Sequence, residues 1–263
     1  MKTIRYLLVA ILLAIAAICL SGCLHVQENN DVLFQTSTIN ALLEGVYDGD
    51  ISFQELKQHG GFGLGTVNAL DGEMVGLEGK FYQVKADGIA YPVDDSMKTP
   101  FAVVTFFEPD KSALLDESIN KYEQLTEYLD NLLPTKNIFY AIKIEGVFEY
   151  IKTRSVPKQN KPYPPLVEAV KNQSTFEFHN VEGTMVGFRC PAYVEGVNVP
   201  GYHIHFITKD RKAGGHLLGC QMQNVTIEID YTSDFYMVLP KSGEFYRVDL
   251  TNGKQKDLEK AER

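Results

Sequence analysis

The chain has 263 residues, of which 44% are hydrophobic and 22% are charged, and its formal net charge at pH 7 is −9. This length is sufficient for one large domain or two small domains with hydrophobic cores of their own. The acidic balance argues against nucleic acid as a partner, because binding to phosphates requires a basic surface.

The first 22 residues have the layout of an export signal. Lys2 and Arg5 form a basic start, and the apolar stretch from Tyr6 to Leu20 is too short for a comfortable membrane span. The sequence Leu20-Ser21-Gly22-Cys23 resembles a bacterial lipoprotein box, in which cleavage leaves Cys23 as the lipidated first residue. An uncleaved anchor is the alternative. Both interpretations predict an exported protein that is tethered at the outer face of a membrane.

Residues 23–31 are polar and rich in asparagine, which is typical of a flexible tether. Cleavage before Cys23 leaves 241 residues and changes the net charge from −9 to about −11, since two basic residues are removed. Cys190 and Cys220 remain in the body of the chain. An exported chain permits them to form a disulfide, and a pair of buried thiols is the alternative that the sequence leaves open.

The body of the chain is predicted to consist mainly of strands. Ser52 and Glu55 fit a capping box at the start of a short helix, which Gly60 would end. Residues 62–82 alternate apolar side chains with turn glycines and predict two or three strands. Residues 101–107 have the compact apolar composition of a buried strand.

The remaining body follows the same pattern. Apolar residues recur at helical spacing over 112–133, and Pro134 ends this predicted helix. Alternation resumes over 138–151, a shorter helix is predicted near 165–171, and residues 174–248 are mostly strand-like. We therefore predict an α+β fold of strand-rich mixed sheets with a few helices.

Two segments of the body resemble each other. In the same order, Gly72, Met74, Val75, Gly76 and Tyr82 match Gly183, Met185, Val186, Gly187 and Tyr193. A duplication would produce two related strand-rich halves, 32–157 and 158–263, with the boundary in the Pro-rich stretch 157–165. Chance similarity between two glycine-containing hairpins is the alternative.

Three of the six histidines lie within fourteen residues. In a strand, His203 and His205 share one face, and the opposite face carries an apolar row suited to a core: Tyr202, Ile204 and Phe206. Residues 208–215 are a plausible hairpin connection, after which His216 would lie beside the other two imidazoles. Three neutral nitrogens with an open fourth position suit a catalytic zinc or a similar divalent ion. Three unrelated histidines on a polar strand face are the alternative.

Three motifs carry a family resemblance. The stretch Gly65-Thr-Val-Asn-Ala-Leu-Asp-Gly-Glu73, the stretch Thr153-Arg-Ser-Val-Pro157 and the hairpin His203–His216 resemble motifs of alpha-acetolactate decarboxylases and occur in that family's order. The resemblance extends from Val32 to the C terminus. It implies decarboxylation of 2-acetolactate, a 2-hydroxy-3-oxo acid, to acetoin, and it suggests a homodimer. The lipoprotein-type start departs from many relatives, and it bears on location rather than on chemistry.

The resemblance also implies a metal ion and residues that bind the substrate. A divalent ion, with zinc as the first candidate, would be held by His203, His205 and His216 and would stabilise the enediolate that remains when carbon dioxide leaves. Arg154 would bind the substrate and assist catalysis, because its planar fork of donors matches a carboxylate. A solvated loop arginine is the alternative. Thr66, in the first motif, would help to bind substrate or water.

Two carboxylates complete the implied site. Glu73 is the candidate acid and base that delivers a proton to the enediolate, and a solvent-exposed glutamate is the alternative. Relatives use a glutamate near the C terminus that folds back to the metal. Glu262 matches that position best, with Glu259 in reserve, and a frayed terminal helix is the alternative.

Two other functions are alternatives to the decarboxylation of 2-acetolactate. The first is a metal-dependent hydrolase, in which the ion activates water. The chain has neither a His-Glu-x-x-His motif nor a Gly-x-Ser-x-Gly elbow. The second is a non-catalytic lipoprotein that captures zinc or a small ligand, which would give Arg154 and Glu73 no role.

Overall fold

A computed structural model of the chain describes residues 30–251 and 253–262. The predicted export signal, the lipidation of Cys23 and all but the end of the tether lie outside the described residues. Within the described ranges, no helix is long and apolar enough to cross a membrane.

The described residues form fifteen strands and five α-helices. The strands are β1 (Val32–Thr36), β2 (Ile51–Ser52), β3 (Phe62–Thr66), β4 (Glu73–Leu77), β5 (Lys80–Val84), β6 (Ala90–Pro92), β7 (Lys98–Thr99), β8 (Ala102–Thr105), β9 (Lys111–Leu115), β10 (Phe139–Ser155), β11 (Ser174–Cys190), β12 (Gly201–Thr208), β13 (Gly214–Met222), β14 (Val225–Thr232) and β15 (Asp234–Val238). The helices are α1 (Ile39–Leu43), α2 (Phe53–Leu56), α3 (Tyr122–Leu132), α4 (Leu166–Ala169) and α5 (Gln255–Glu262).

Seven strands form the first sheet, in the order β15-β1-β8-β3-β4-β5-β6. All of its pairs are antiparallel except β1 with β15, which run parallel. Strand β15 therefore returns from the C-terminal part of the chain to lie beside the first strand. The pair β2 and β7 forms a separate two-stranded sheet.

Six strands form the second sheet, in the order β11-β12-β13-β10-β14-β9. The long strands β10 and β11 also pair with each other along their whole length. Because β11 pairs with β12, β12 with β13 and β13 with β10, these four strands close into a ring. A core of large apolar side chains fills this ring, including Phe148, Ile151, Ile204 and Phe206.

The second large core lies between the ring and the seven-stranded sheet. It combines Leu64 and Val75 of the first sheet with Val186, Phe188 and Ile207 of the ring. Strand β12 therefore has two buried faces: Ile204 and Phe206 point into the ring, with Tyr202 packed against the same core, and the histidine face is turned toward the first sheet. The predicted apolar row on β12 is confirmed. The histidines lie between the strand ring and the seven-stranded sheet.

The predicted α+β class is confirmed, and most predicted elements form. A capping box between Ser52 and Glu55 begins α2, and β10 extends the predicted strand to Ser155. The helix predicted near 165–171 is α4, which continues as a 3₁₀ turn over Val170–Asn172.

The helix predicted over 112–133 is wrong in its first ten residues. Residues 111–115 form β9, which pairs with β14, and the helix begins only at Tyr122. Leu115 is buried and Leu114 is 63% exposed, so the two leucines point to opposite faces of a strand. The free edge of β14 supplies backbone hydrogen bonds that outweigh the helical spacing of this short segment.

Cys190 and Cys220 are both buried free thiols, so the structure contains no disulfide between them. The division into halves at residue 157 stays a prediction. Strand β10 precedes that position and pairs with β11, which follows it, so the two halves share the ring.

Candidate metal centre

The hairpin of β12 and β13 brings the three histidines together. His205 lies directly opposite His216 in the strand register, and His203 lies two residues along β12 on the same face. The turn between the strands is closed by Thr208, whose backbone N–H donates to the carbonyl oxygen of Ala213 at 2.9 Å. All three imidazoles are buried, with exposures of 8%, 0% and 4% for His203, His205 and His216.

One nitrogen of each ring points to a common centre. The Nε2 atoms of His203 and His205 are 3.1 Å apart, and Nδ1 of His216 is 3.2 Å from Nε2 of His203. Ligand nitrogens about 2.0–2.1 Å from a tetrahedral zinc are separated by about 3.3 Å. These two separations fit a zinc-sized ion, and all three donor atoms lie within 4.8 Å of one another.

Two backbone carbonyls fix the tautomers of two rings. Nδ1 of His205 lies 2.8 Å from the carbonyl oxygen of Met74, and Nε2 of His216 lies 3.2 Å from that of Glu262. A carbonyl oxygen only accepts, so each of these nitrogens carries the proton. The opposite nitrogens therefore direct lone pairs at the common centre, as metal-binding histidines do.

The electrostatics favour neutral rings. Burial, with a smaller contribution from the positive charge of Arg154, lowers the pKa of His203 to about 3. The pKa values of His205 and His216 are also far below the usual histidine value, chiefly because of burial. The lone pairs of His205 and His216 converge beside Nε2 of His203, and three neutral imidazoles in this arrangement are a donor set that fits a divalent metal.

A β-bulge aligns Arg154 with this hairpin. Strands β10 and β13 change register between Lys152 and Thr153, and beyond this shift Arg154 lies opposite His216. Gly215 makes the close approach possible: its φ is +133°, and a Cβ atom there would lie 2.4 Å from the carbonyl oxygen of Arg154. The Gly214-Gly215-His216 sequence is therefore needed to place the arginine as well as the histidine.

Arg154 is 4% exposed. Its Nη1 donates to Oε1 of Gln173 at 3.3 Å, and its Nε is buried without a hydrogen-bond partner in the described structure. The interpretation of Arg154 as a solvated loop residue is therefore wrong. Its planar set of donors faces the same cavity as the histidines.

Glu73 and Thr66 come from the seven-stranded sheet. They lie opposite each other in the register of β3 and β4, and both are buried. Oε2 of Glu73 is 3.6 Å from Nε2 of His205. Burial raises the pKa of Glu73 to about 7, with Arg154 opposing this shift. The hydroxyl of Thr66 donates to the carbonyl oxygen of Gly72 at 2.7 Å, which leaves its lone pairs free to accept from a ligand.

The C-terminal helix supplies Glu262. Its Oε2 is 3.5 Å from Nε2 of His203 and 3.9 Å from Nδ1 of His216, and this oxygen is buried without a hydrogen-bond donor. Burial raises the pKa of the Glu262 carboxyl, and Arg154 opposes the shift. The reserve candidate, Glu259, is exposed and accepts from Gln255 on the same helix. Of the two, Glu262 is therefore the one that reaches the histidines.

These residues surround a cavity of about 30 Å³, which has room for only one or two water molecules. The polar residues that line it are Thr66, Glu73, Arg154, His203, His216 and Glu262, and the apolar residues that line it, here called the apolar wall, are Ile39, Leu42, Leu70, Phe101, Val156 and Leu166. An open groove of about 500 Å³ also reaches Glu262. A ligand larger than water requires the cavity to widen, and Glu262 of α5 lines both the cavity and this groove.

The seven residues predicted for the site thus lie together, whereas Cys23 lies outside the described residues. Sequence reasoning missed the apolar wall from α1 and α4 and the amide of Gln173. The apolar residues have no pattern that separates them from ordinary core. Gln173 lies two residues before the strand neighbour of Arg154, a relationship that becomes visible only when β10 and β11 are aligned.

Comparison with known proteins identifies the family. A family model described as alpha-acetolactate decarboxylase matches residues 33–252. The chain belongs to the alpha-acetolactate decarboxylase family. It is 56% identical to the alpha-acetolactate decarboxylase of Methanosarcina mazei over 234 residues, which cover 89% of this chain and 81% of the relative. It is 50% identical to that of Methylococcus capsulatus over 236 residues, or 90% of each chain.

The solved structures agree with this assignment. The crystal structure of alpha-acetolactate decarboxylase from Bacillus subtilis strain 168 superposes with a TM-score of 0.85 at 43% identity, covering 88% of this chain and 99% of that one. The resemblance inferred from the three motifs is confirmed, and so is the prediction of a carboxy-lyase at the level of the alpha-acetolactate decarboxylase family.

Proposed function

We propose that this protein decarboxylates 2-acetolactate to acetoin and depends on a divalent metal ion held by His203, His205 and His216. The observation that carries the proposal is the convergence of three neutral ring nitrogens, spaced 3.1 and 3.2 Å, beside a buried arginine. Membership of the alpha-acetolactate decarboxylase family supports the choice of substrate. The three-nitrogen donor set makes zinc the first candidate.

The chemistry requires charge stabilisation and one proton. The bond between the carboxyl carbon and C2 breaks, carbon dioxide leaves, and the electron pair remains as an enediolate over C2 and the neighbouring carbonyl. When bound, a divalent ion supplies Lewis acidity that stabilises the negative charge developing on the substrate oxygens. A proton then adds to C2 to form acetoin.

Arg154 is proposed to orient the substrate carboxylate. Its guanidinium is buried, it lines the cavity, and its Nε has no partner among the described residues. A desolvated arginine with free donors binds a carboxylate strongly and in a defined plane. With its carboxylate bound to Arg154, the substrate would have the bond between C2 and the carboxyl carbon next to the three histidines.

Glu73 is proposed to deliver the proton. Its carboxyl is buried within 3.6 Å of a cluster nitrogen, and burial raises its pKa to about 7. A carboxyl with a pKa in this range exchanges protons effectively near neutral pH. Glu262 approaches the other two nitrogens of the cluster, those of His203 and His216, and we propose that it helps to hold the ion or orient the substrate. Thr66 would accept a hydrogen bond from the substrate hydroxyl.

The experiment is an assay of acetoin and carbon dioxide from racemic 2-acetolactate with the protein body starting at Leu24. A reaction without protein measures the spontaneous background, and Glu73→Gln is the matched inactive variant because it keeps the size of the side chain. Acetoin formation well above background that falls by about 10²-fold or more in Glu73→Gln supports the proposal. Ester or peptide hydrolysis without acetoin would favour a hydrolase, and tight metal binding without turnover would favour a binding protein.

We also propose that the protein is exported and lipid-anchored through Cys23, on the basis of its N-terminal sequence. Mass spectrometry of the N-terminal peptide from membranes would detect the acylated cysteine, and Cys23→Ser should release the protein. A homodimer, suggested by the family resemblance, is tested by light scattering of the soluble body.

A further inference from the structure

Arg154 holds a buried positive charge that forms no ion pair within the described part of the chain. The side chain is 4% exposed, and its one hydrogen bond there is from Nη1 to the amide oxygen of Gln173 at 3.3 Å. Its charge opposes the raised pKa of Glu73 and of Glu262, so it acts on both carboxyls without a direct ion pair to either. The direction of the guanidinium is therefore set by a neutral partner.

The backbone fixes Gln173 next to Arg154. In the antiparallel register of β10 and β11, Arg154 lies opposite Thr175, and Gln173 precedes Thr175 by two residues in extended conformation. Side chains two residues apart on a strand point to the same face, so the amide is a diagonal neighbour of the guanidinium. The N–H of Gln173 also donates to the carbonyl oxygen of Val170 at 3.1 Å, which ties it to the end of the preceding helical turn.

The chemistry of an amide at this position differs from that of a carboxylate. The amide oxygen of Gln173 accepts a hydrogen bond from the planar guanidinium and orients it, but it leaves the positive charge uncancelled. A carboxylate at the same place would bind two of the donors side by side and neutralise the charge. An arginine that must bind a substrate carboxylate needs the first kind of partner.

Gln173 does not line the cavity that contains Thr66, Glu73 and the histidines. It faces a separate surface cleft together with Lys171 and Lys260. Its influence on a ligand in the cavity must therefore pass through Arg154.

We propose that Gln173 is a positioning residue, which holds the guanidinium of Arg154 toward the substrate carboxylate and keeps its charge available. The proposal rests on the proposed function, in which Arg154 binds the carboxylate of 2-acetolactate. In this role Gln173 affects the affinity of the site for the substrate carboxylate and takes no part in proton transfer.

The test uses Gln173→Glu, which keeps the acceptor and adds a charge, and Gln173→Leu, which removes the acceptor at similar size. The controls are Asn172→Asp and Asn172→Leu, because Asn172 is the exposed neighbour and undergoes the same changes. For each protein we would measure KM and kcat with 2-acetolactate. We would also measure direct binding of 2-hydroxy-2-methylpropanoate, an unreactive carboxylate, and of neutral acetoin, together with metal content and thermal unfolding.

We expect Gln173→Glu to raise KM and to weaken binding of the carboxylate by about tenfold or more, the scale of one hydrogen bond to a charged group. Gln173→Leu should weaken carboxylate binding by a smaller factor, and acetoin binding and metal content should stay at wild-type values in both variants. The Asn172 controls should match wild type throughout.

Wild-type carboxylate binding in a folded Gln173→Glu protein would overturn the proposal, as would equal losses for the carboxylate and for acetoin. If Gln173→Leu does not fold, Gln173→Glu decides alone. If the wild-type protein forms no acetoin, the proposed function fails, while the direct binding of the carboxylate still decides the role of Gln173.

Discussion

The ring of His216 donates from Nε2 to the carbonyl oxygen of Glu262, the last described residue of the C-terminal helix, over 3.2 Å. The same residue brings its carboxylate within 3.9 Å of Nδ1 on the opposite side of that ring. Helix α5 thus orients one of the proposed ligands through its backbone and adds charge beside the cluster through its side chain.

These two contributions can be separated by mutation. Glu262→Gln keeps the backbone carbonyl and removes only the negative charge beside the ion, so we expect it to lose turnover and to lose less metal affinity than a deletion of the helix. Deleting residues 255–263 removes the carbonyl as well, and metal affinity should fall by a further 10- to 100-fold or so, the usual effect of losing a group that orients a ligand. Metal titration and acetoin formation measure the two effects. The control is Glu259→Gln on the exposed side of α5, and equal metal affinity in the deletion and in wild type would contradict this role of α5.

Arg154→Lys tests whether the planar arrangement of the guanidinium donors is needed to bind the substrate carboxylate. Lysine keeps the charge but offers a single ammonium group, so it cannot bind a carboxylate through two parallel hydrogen bonds. We expect the variant to retain the metal while kcat/KM for 2-acetolactate falls by about 10²-fold, a loss of about 3 kcal/mol. Arg247→Lys, at an exposed position, should have no effect. Unchanged turnover in Arg154→Lys would show that the guanidinium is not needed.

Gly215→Ala tests the bulge that aligns β13 with Arg154. The φ of +133° and the 2.4 Å approach to the carbonyl oxygen of Arg154 leave no room for a methyl group. We expect a loss of about 2 kcal/mol or more in the free energy of unfolding. We also expect a lower affinity for the metal, because His216 follows directly. Gly219→Ala on the same strand is the control, since the nearest atom to an added Cβ there is 3.9 Å away. Similar unfolding curves for the two variants would refute the argument.

Much of the site was predictable because its residues are close in sequence. The spacing of His203, His205 and His216 determines their relative positions once a hairpin forms, and strand alternation determines which face they share. Glu73, Arg154 and Glu262 were identified through motifs of the alpha-acetolactate decarboxylase family. Their distances to the histidines depend on how two sheets and a terminal helix pack, and this long-range packing leaves no local pattern.

The misassigned segment 112–115 illustrates the same limit. Its leucines fit both a helix and a short edge strand, and the choice depends on the free edge of β14 more than a hundred residues later. The closure of the strand ring was not predicted for the same reason, since it requires β10 to pair on both edges.

Asp230 should make stability depend on pH. It is 1% exposed, and burial raises its pKa from 3.8 to about 7, with Asp110, Asp31 and Glu108 adding to the shift and the N–H of Glu108 opposing it. The unfolded chain loses this proton near pH 4 and the folded chain near pH 7. The free energy of unfolding should therefore fall as pH rises between these values, by at most about 4 kcal/mol.

Asp230→Asn removes this titration and still accepts from the N–H of Glu108. We expect the variant to be more stable than wild type above pH 7 and to show a flatter pH dependence in urea unfolding between pH 4 and 8. Asp116→Asn, at an exposed site, should keep the wild-type slope. Parallel slopes for Asp230→Asn and wild type would contradict the assignment.

In the proposed reaction, turnover requires a divalent ion held by the three histidines. The most direct test measures acetoin formation from 2-acetolactate before and after a chelator removes divalent ions, and again after one equivalent of zinc per chain is returned. We predict that turnover falls to the spontaneous background and is restored by the added ion. Full turnover by protein shown to be free of metal would contradict the requirement for a divalent ion.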